Sequence, residues 1–184
     1  TRLKILDGGW VKWTAERRRY EHGVVTPKPG AFNVAVNVDV IVEKEELKKL
    51  VKRPHPETVI ADARSLEEYA GKEISGIPRP GHIPGAACIP WNVFLNPDAT
   101  VKDLDKIREG FDEKGLHPSH AVICYCTGGV RSAWLYVVLK LLGYQKVRNY
   151  PGSWWEWSRD FAAPVEKDAK LLHRIIGQEE GKPS

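Results

Sequence analysis

From Thr58 onward the hydrophobic pattern alternates between two periods. "TVIADA" (58–63) is short, apolar and β-branched and predicts a strand. "SLEEYAG" (65–71) follows, with Ser65 as N-cap and Glu68 at the capping-box position of a short helix. "GAACIPW" (85–91) predicts another short strand. In "VKDLDKIREGFDEKG" (101–115), Leu104, Ile107 and Phe111 fall on one helical face and Gly115 is the stop. "AVICYC" (121–126) is the most apolar strand candidate. "SAWLYVVLKLLG" (132–143) predicts a nearly all-apolar helix sandwiched in the middle and ending at Gly143. "KVRNY" (146–150) and "SWWEWSRDF" (153–161) predict a last strand and helix. Upstream, "AFNVAVNVDVIV" (31–42) alternates like a strand, and "EKEELKKLVK" (43–52) is a charged amphipathic helix. Strand and helix in alternation imply an α/β fold, a small central parallel sheet with helices on both faces.

The first thirty residues break this rhythm. "GVVTPKPG" (23–30) has the composition of a linker. Ahead of it, "LKILDGGWVKW" (3–13) matches "VRNYPGSWWEW" (147–157) at a constant offset of 144 positions. Gly8 pairs with Gly152, Trp10 with Trp154 and Trp13 with Trp157, while apolar Leu3 and Leu6 pair with Val147 and Tyr150. An offset of this size is a plausible domain repeat. Residues 1–32 are therefore expected to be the tail end of a preceding similar domain plus a linker, the alternative being an unrelated extension. Residues 33–165 are expected to form the domain proper, and 166–184 a C-terminal tail with a frayed end. The chain has no methionine, so Thr1 is not expected to be a translation start.

Composition narrows the class. Lys and Arg number 28 against 24 Asp and Glu, and most are interleaved with opposite charges, so no nucleic-acid partner is expected. The exception, "ERRRYEH" (16–22), reads as a solvated face. No apolar run approaches the ~20 residues of a membrane span. Three cysteines, Cys88, Cys124 and Cys126, form no disulfide framework. Such a sparse, odd count fits free thiols in a reducing, cytoplasmic compartment. No metal site is expected, because C-x-C is not a zinc spacing and there is no second cysteine pair.

The chemistry concentrates after the most apolar strand, in "CTGGVRS" (126–132). A thiolate is a nucleophile, and a free thiol with a pKa near 8.5 is mostly protonated at neutral pH. A loop that curls around the sulfur can aim successive N–H groups at it, and Gly128 and Gly129 permit that curl. The following helix adds its positive N-terminal end and Arg131 a full charge. Cys124 lies two residues upstream on the same strand face, but deeper, and reads as a packed core thiol, as does Cys88.

At this point a family resemblance enters. "YCTGGVRS" (125–132) resembles the active-site loop of the rhodanese sulfurtransferases. "DARSLEEYAG" (62–71) and "GHIPGAACIPW" (81–91) are similar to that family's first and second signatures. "NYPGSWWEW" (149–157) is similar to the signature that follows the active site in tandem-domain thiosulfate sulfurtransferases, and "LDGGWVKW" (6–13) to the end of their first domain. The resemblance implies the rhodanese-like three-layer fold. It implies transfer of a sulfane sulfur from thiosulfate to Cys126 as a persulfide, and onward to cyanide or a thiol. It also implies that the catalytic cysteine belongs to the second of two domains. No cofactor is implied, and the partners are a small anionic sulfur donor and its acceptor.

On this reading Cys126 is the nucleophile, Thr127, Gly128, Gly129 and Val130 supply N–H groups, and Arg131 binds donor and leaving group. Ser132 supports the loop. Asp62 and Arg64 support it as a buried ion pair rather than touching substrate. Arg79 reaches toward the mouth of the pocket, and His82 braces its turn. Trp154 and Trp157, three apart on a helix, read as core. Some tandem-domain relatives carry a substrate-contacting arginine where this chain has Glu68, so Arg131 or Arg79 is expected to supply that charge. Mercaptopyruvate-type relatives usually lack an arginine at the position of Arg131, which favours thiosulfate over mercaptopyruvate as donor. A related phosphatase or arsenate reductase is a further alternative, but cysteine phosphatases typically need five residues between cysteine and arginine; Cys126 and Arg131 are separated by four, Cys124 and Arg131 by six. A non-catalytic regulatory module of the same fold is the remaining alternative, and such modules often lose the cysteine.

Overall fold

The computed structural model describes residues 4–31, 33–35 and 37–180. Four parallel strands, β1 (Thr58–Asp62), β2 (Ala87–Cys88), β3 (Ala121–Tyr125) and β4 (Val147–Asn149), form one sheet in the order β2-β1-β3-β4. The two most apolar predicted strands are its centre, paired in register from Thr58↔Ala121 to Asp62↔Tyr125. Among the described residues seven α-helices accompany them: α1 (Gly9–Ala15), α2 (Lys44–Lys52), α3 (Leu66–Ala70), α4 (Leu104–Asp112), α5 (Val130–Leu141), α6 (Ser153–Trp157) and α7 (Ala169–Glu180).

The period of β3 divides the core in two. Val122 and Cys124 face a layer built from α4 and α5 with Ile107, Phe111, Leu135, Val138 and Leu139. Ile123 and Tyr125 face the opposite layer with Leu47 of α2 and Trp154 and Trp157 of α6. The α5 helix covers one face instead of lying sandwiched, and leaves Val130 and Leu141 exposed. Its inner side is a stripe of Ser132, Leu135, Val138 and Leu139.

Local signals placed the ends of several elements. Ser65 accepts from Glu68 N and Glu68 reaches back to Ser65 N, closing the capping box of α3. Asp103 caps α4 by accepting from Asp105 N and Lys106 N. The expected strand over 31–42 does not form among the described residues; Phe32 and Val36 lie outside them. Asn37 instead accepts from Asp39 N and turns Val38–Val40 into one 3₁₀ turn, an Asx-type competitor of strand pairing. What remains of the pairing is a single parallel bridge between Ile41 and Asn149. The last predicted helix stops at Trp157, because Arg79 captures the carbonyls of Trp157, Ser158 and Asp160 at its end.

In the N-terminal segment, α1 starts after Gly8. Lys12 pairs with Asp98 at 2.8 Å, and Asp7 accepts from Val101 N at 2.8 Å. Trp10 is exposed, whereas its counterpart Trp154 is buried. Leu3, the first residue of the internal match, lies outside the described residues. The run 16–22 is exposed throughout, with Arg18 paired to Glu16. Among the described residues no helix is long and apolar enough to cross a membrane.

Candidate active site around Cys126

Cys126 follows the carboxyl end of β3 and α5 begins four residues later, so the sulfur sits where ligands bind in open parallel sheets. The residue is 1% exposed. Gly129 N donates to its Sγ at 3.2 Å, and Ser132 Oγ lies 3.6 Å from the sulfur. The same hydroxyl is 3.0 Å from Gly129 O, and its one proton serves either acceptor at a time. Burial pushes the Cys126 thiol up. The Ser132 hydroxyl and the N–H groups of Ser132, Gly128 and Gly129 outweigh it, leaving the thiol below its ordinary value and favouring the thiolate. Burial acts unopposed on Cys124, whose pKa is raised, and pushes half-buried Cys88 up to about 12 with help from Asp62.

The loop's shape is imposed from α6. Trp154 N donates to Cys126 O and Trp155 N to Thr127 O, each at 2.9 Å. Cys126 N donates to Ser153 Oγ at 3.1 Å, and Ser153 Oγ donates to Tyr150 O at 2.8 Å. Ser153 is held at φ +50°, an uncommon conformation for a residue with a side chain. The two glycines have different reasons. A Cβ on Gly128 would sit 2.8 Å from the Trp155 ring; Gly129 has φ +88° and a Cβ there would sit 2.8 Å from Pro151 O.

Beneath the loop, Asp62 and Arg64 form the buried pair expected of them, 0% and 1% exposed. Arg64 Nη2 donates to Asp62 Oδ2 at 2.6 Å and to Gly81 O at 2.8 Å. Tyr125 OH donates to the same carboxylate at 2.6 Å, and the guanidinium lies 4.5 Å from the Trp154 ring centroid. The guanidinium thus packs on Trp154, whose backbone N–H donates to Cys126 O. His82 does not cap its own turn but ties it to α3: its ring stacks on Tyr69 at 3.7 Å and Nδ1 is 2.8 Å from Tyr69 O.

Three expectations change. Arg79 does not stand free at a pocket mouth, because its guanidinium donates to the carbonyls of Trp157, Ser158, Asp160 and Ala163. Four carbonyls converging at a helix end outcompete solvent for a fork-shaped cation. Arg131 does not present an uncompensated charge: its Nη1 donates to Glu68 Oε2 at 2.6 Å and its Nη2 to Glu68 Oε1 at 2.9 Å. Thr127 Oγ1 accepts from Arg131 Nη2 and donates to Glu68 Oε1 at 3.0 Å. Of the four N–H groups expected at the sulfur, that of Gly129 makes the hydrogen bond, and Val130 does not.

The matching family model is the rhodanese-like domain, over residues 43–160. The chain belongs to the rhodanese family. Among curated relatives it is 34% identical over 176 residues to "Sulfur carrier protein TtuD" of Thermus thermophilus, with 90% of this chain and 61% of that protein covered. It is 30% identical over 165 residues to the "Thiosulfate sulfurtransferase" of Azotobacter vinelandii, with 90% and 60% covered. The chain thus spans about three fifths of the length of these relatives. Among solved structures, an EanB variant in complex with hercynine matches with TM-score 0.78 at 25% identity, covering 88% of this chain and 40% of that one. A second EanB variant, with ergothioneine covalently linked to a persulfide cysteine, matches with TM-score 0.74 at 26% identity over the same shares.

Within this rhodanese site, sequence reasoning missed Ser153, Trp155 and the reach of Glu68. Nothing local marks Ser153 or Trp155, because their partners lie across the sheet. For Glu68 a signal existed: a capping-box carboxylate at the end of one parallel strand faces whatever cation follows the neighbouring strand. Burial alone would push the Glu68 carboxyl up; Arg131, Ser65 N and Thr127 bring it down to about 2. Its ordinary value is 4.5. Stability from this carboxylate is therefore present above about pH 4.5 and lost as pH falls toward 2. Urea unfolding of wild type and Glu68→Gln across that window is expected to give curves that converge as the pH drops.

Proposed function

We propose that this chain is the catalytic part of a sulfurtransferase that carries sulfur as a persulfide on Cys126. The Cys126 thiolate attacks the outer sulfur of a small anionic donor such as thiosulfate. The donor's S–S bond breaks, its electron pair leaves with sulfite, and Cys126 keeps one added sulfur. A thiophilic acceptor, cyanide or a cellular thiol, then attacks that sulfur and regenerates the thiolate. The observation that carries this reading is a buried sulfur that accepts from Gly129 N and stands beside the Ser132 hydroxyl, contacts that favour the thiolate. An ionised thiol attacking a sulfur–sulfur bond needs no general base. The same donors face the anionic persulfide and the departing sulfite.

The names of the curated relatives support sulfur transfer or carriage, and the persulfide in an EanB complex supports the form in which sulfur is held. Residues 1–32 fit the end of a preceding rhodanese-like domain plus linker, since the alignments cover 90% of the chain and extend beyond the matched domain. Three free cysteines fit a cytoplasmic setting. Thiosulfate and cyanide are expected to yield thiocyanate with the wild type, and Cys126→Ser to lose that activity by at least about a thousandfold. A Cys126→Ser variant that keeps a tenth of the activity would overturn the assignment.

A further inference from the structure

Glu68 joins three segments of the site. Its carboxylate accepts from Ser65 N at the start of α3, from Thr127 Oγ1 on the cysteine loop, and twice from Arg131 at the start of α5. The Glu68 side chain is 14% exposed and that of Arg131 28%, so the pair is only partly screened by solvent. Arg131 Nη2 donates to Thr127 Oγ1, on the residue that follows Cys126, which places its charge beside the sulfur.

We propose that Glu68 sets the charge of the sulfur donor: by neutralising Arg131 beside Cys126, it holds back dianionic donors relative to monoanionic ones. The inference rests on the sulfurtransferase reading above. A free Arg131 would add one full positive charge to the about half charge of the α5 N-terminus. Paired with Glu68, it adds a dipole and no net charge. A thiosulfate dianion approaching a thiolate then meets repulsion that little offsets, and a donor with one negative charge meets half as much. The contrast needs two donors with the same reacting bond. Benzenethiosulfonate, a monoanion, passes its outer sulfur to the thiolate and leaves as benzenesulfinate, as thiosulfate leaves sulfite.

Glu68→Gln isolates the charge. Glutamine's one oxygen can keep Ser65 N and one Arg131 contact, at the cost of the oxygen that Thr127 and the other guanidinium nitrogen share, and it removes the negative charge. The rate of sulfur addition to Cys126, followed by time-resolved intact mass, is to be measured with each donor. The ratio of the thiosulfate to the benzenethiosulfonate rate constant is expected to rise about tenfold in Glu68→Gln, as for one unit charge at a solvent-screened distance. The rise should shrink with added salt. The pH midpoint for alkylation of Cys126 should move down in the same variant, which a purely structural brace would not produce. Arg131→Gln, with the carboxylate left uncompensated, should lower the ratio below that of the wild type.

If wild type and Glu68→Gln both take up sulfur with ratios agreeing within about twofold, below the effect of one charge, Glu68 is a cap and the proposal falls. An unchanged ratio in Arg131→Gln would overturn it equally, should Glu68→Gln fail to fold. If neither donor adds sulfur to the wild type, the sulfurtransferase reading itself fails, and the charge selection with it.

Discussion

Replacing Arg64 by alanine is expected to lower the free energy of unfolding by about 3–5 kcal/mol, the cost of leaving one member of a buried ion pair without the other. Asp62 is fully buried, and its carboxylate keeps the Tyr125 hydroxyl but loses the guanidinium. Gly81 O loses its donor as well. The damage extends to the site, because the guanidinium packs against the Trp154 ring and Trp154 N holds Cys126 O. Urea unfolding monitored by tryptophan fluorescence gives the number. Replacing both partners, as Asp62→Leu with Arg64→Met, should recover part of the loss, since an apolar pair leaves no orphaned charge. A loss below about 1 kcal/mol, the range of an exposed ion pair, would contradict the assignment of this pair as a buried brace.

Gly129→Ala is expected to disable the loop with a smaller effect on the fold. Its φ of +88° costs an L-residue about 1–2 kcal/mol. The added Cβ would also stand 2.8 Å from Pro151 O, a backbone atom that cannot swing away. The loop must open to relieve that contact, and opening withdraws Gly129 N from the sulfur. The pH midpoint of Cys126 alkylation should rise, and sulfur uptake at neutral pH should fall by about a hundredfold or more, the scale of losing an oriented N–H donor. Rapid uptake with an unshifted midpoint would mean that this N–H does not tune the thiol.

The fold was legible where local physics had no competitor. Apolar β1 and β3, the Ser65 capping box and the amphipathic faces of α2 and α4 are each decided within a few residues. The stretch 31–42 was misread because its alternation fits a strand, but β4 offers three residues to pair with and Asn37 offers the backbone a turn. At the site, Cys126 and its glycines were legible from their order alone. What they touch was not. Trp155 against Gly128, Ser153 under Cys126 and Glu68 on Arg131 are contacts between segments separated by about 25 to 65 residues, and the parallel sheet brings their ends together. The same holds for the two arginines: Arg131 and Arg79 look like free cations in sequence, and both find partners on folding.

The account rests on Cys126 holding a sulfur. The direct measurement is the intact mass of the protein after incubation with thiosulfate, beside Cys126→Ser treated in the same way. The account predicts a gain of one sulfur atom in the wild type, reversed by cyanide, and no gain in the variant. No added sulfur in the wild type, or a gain that survives the loss of Cys126, would contradict it.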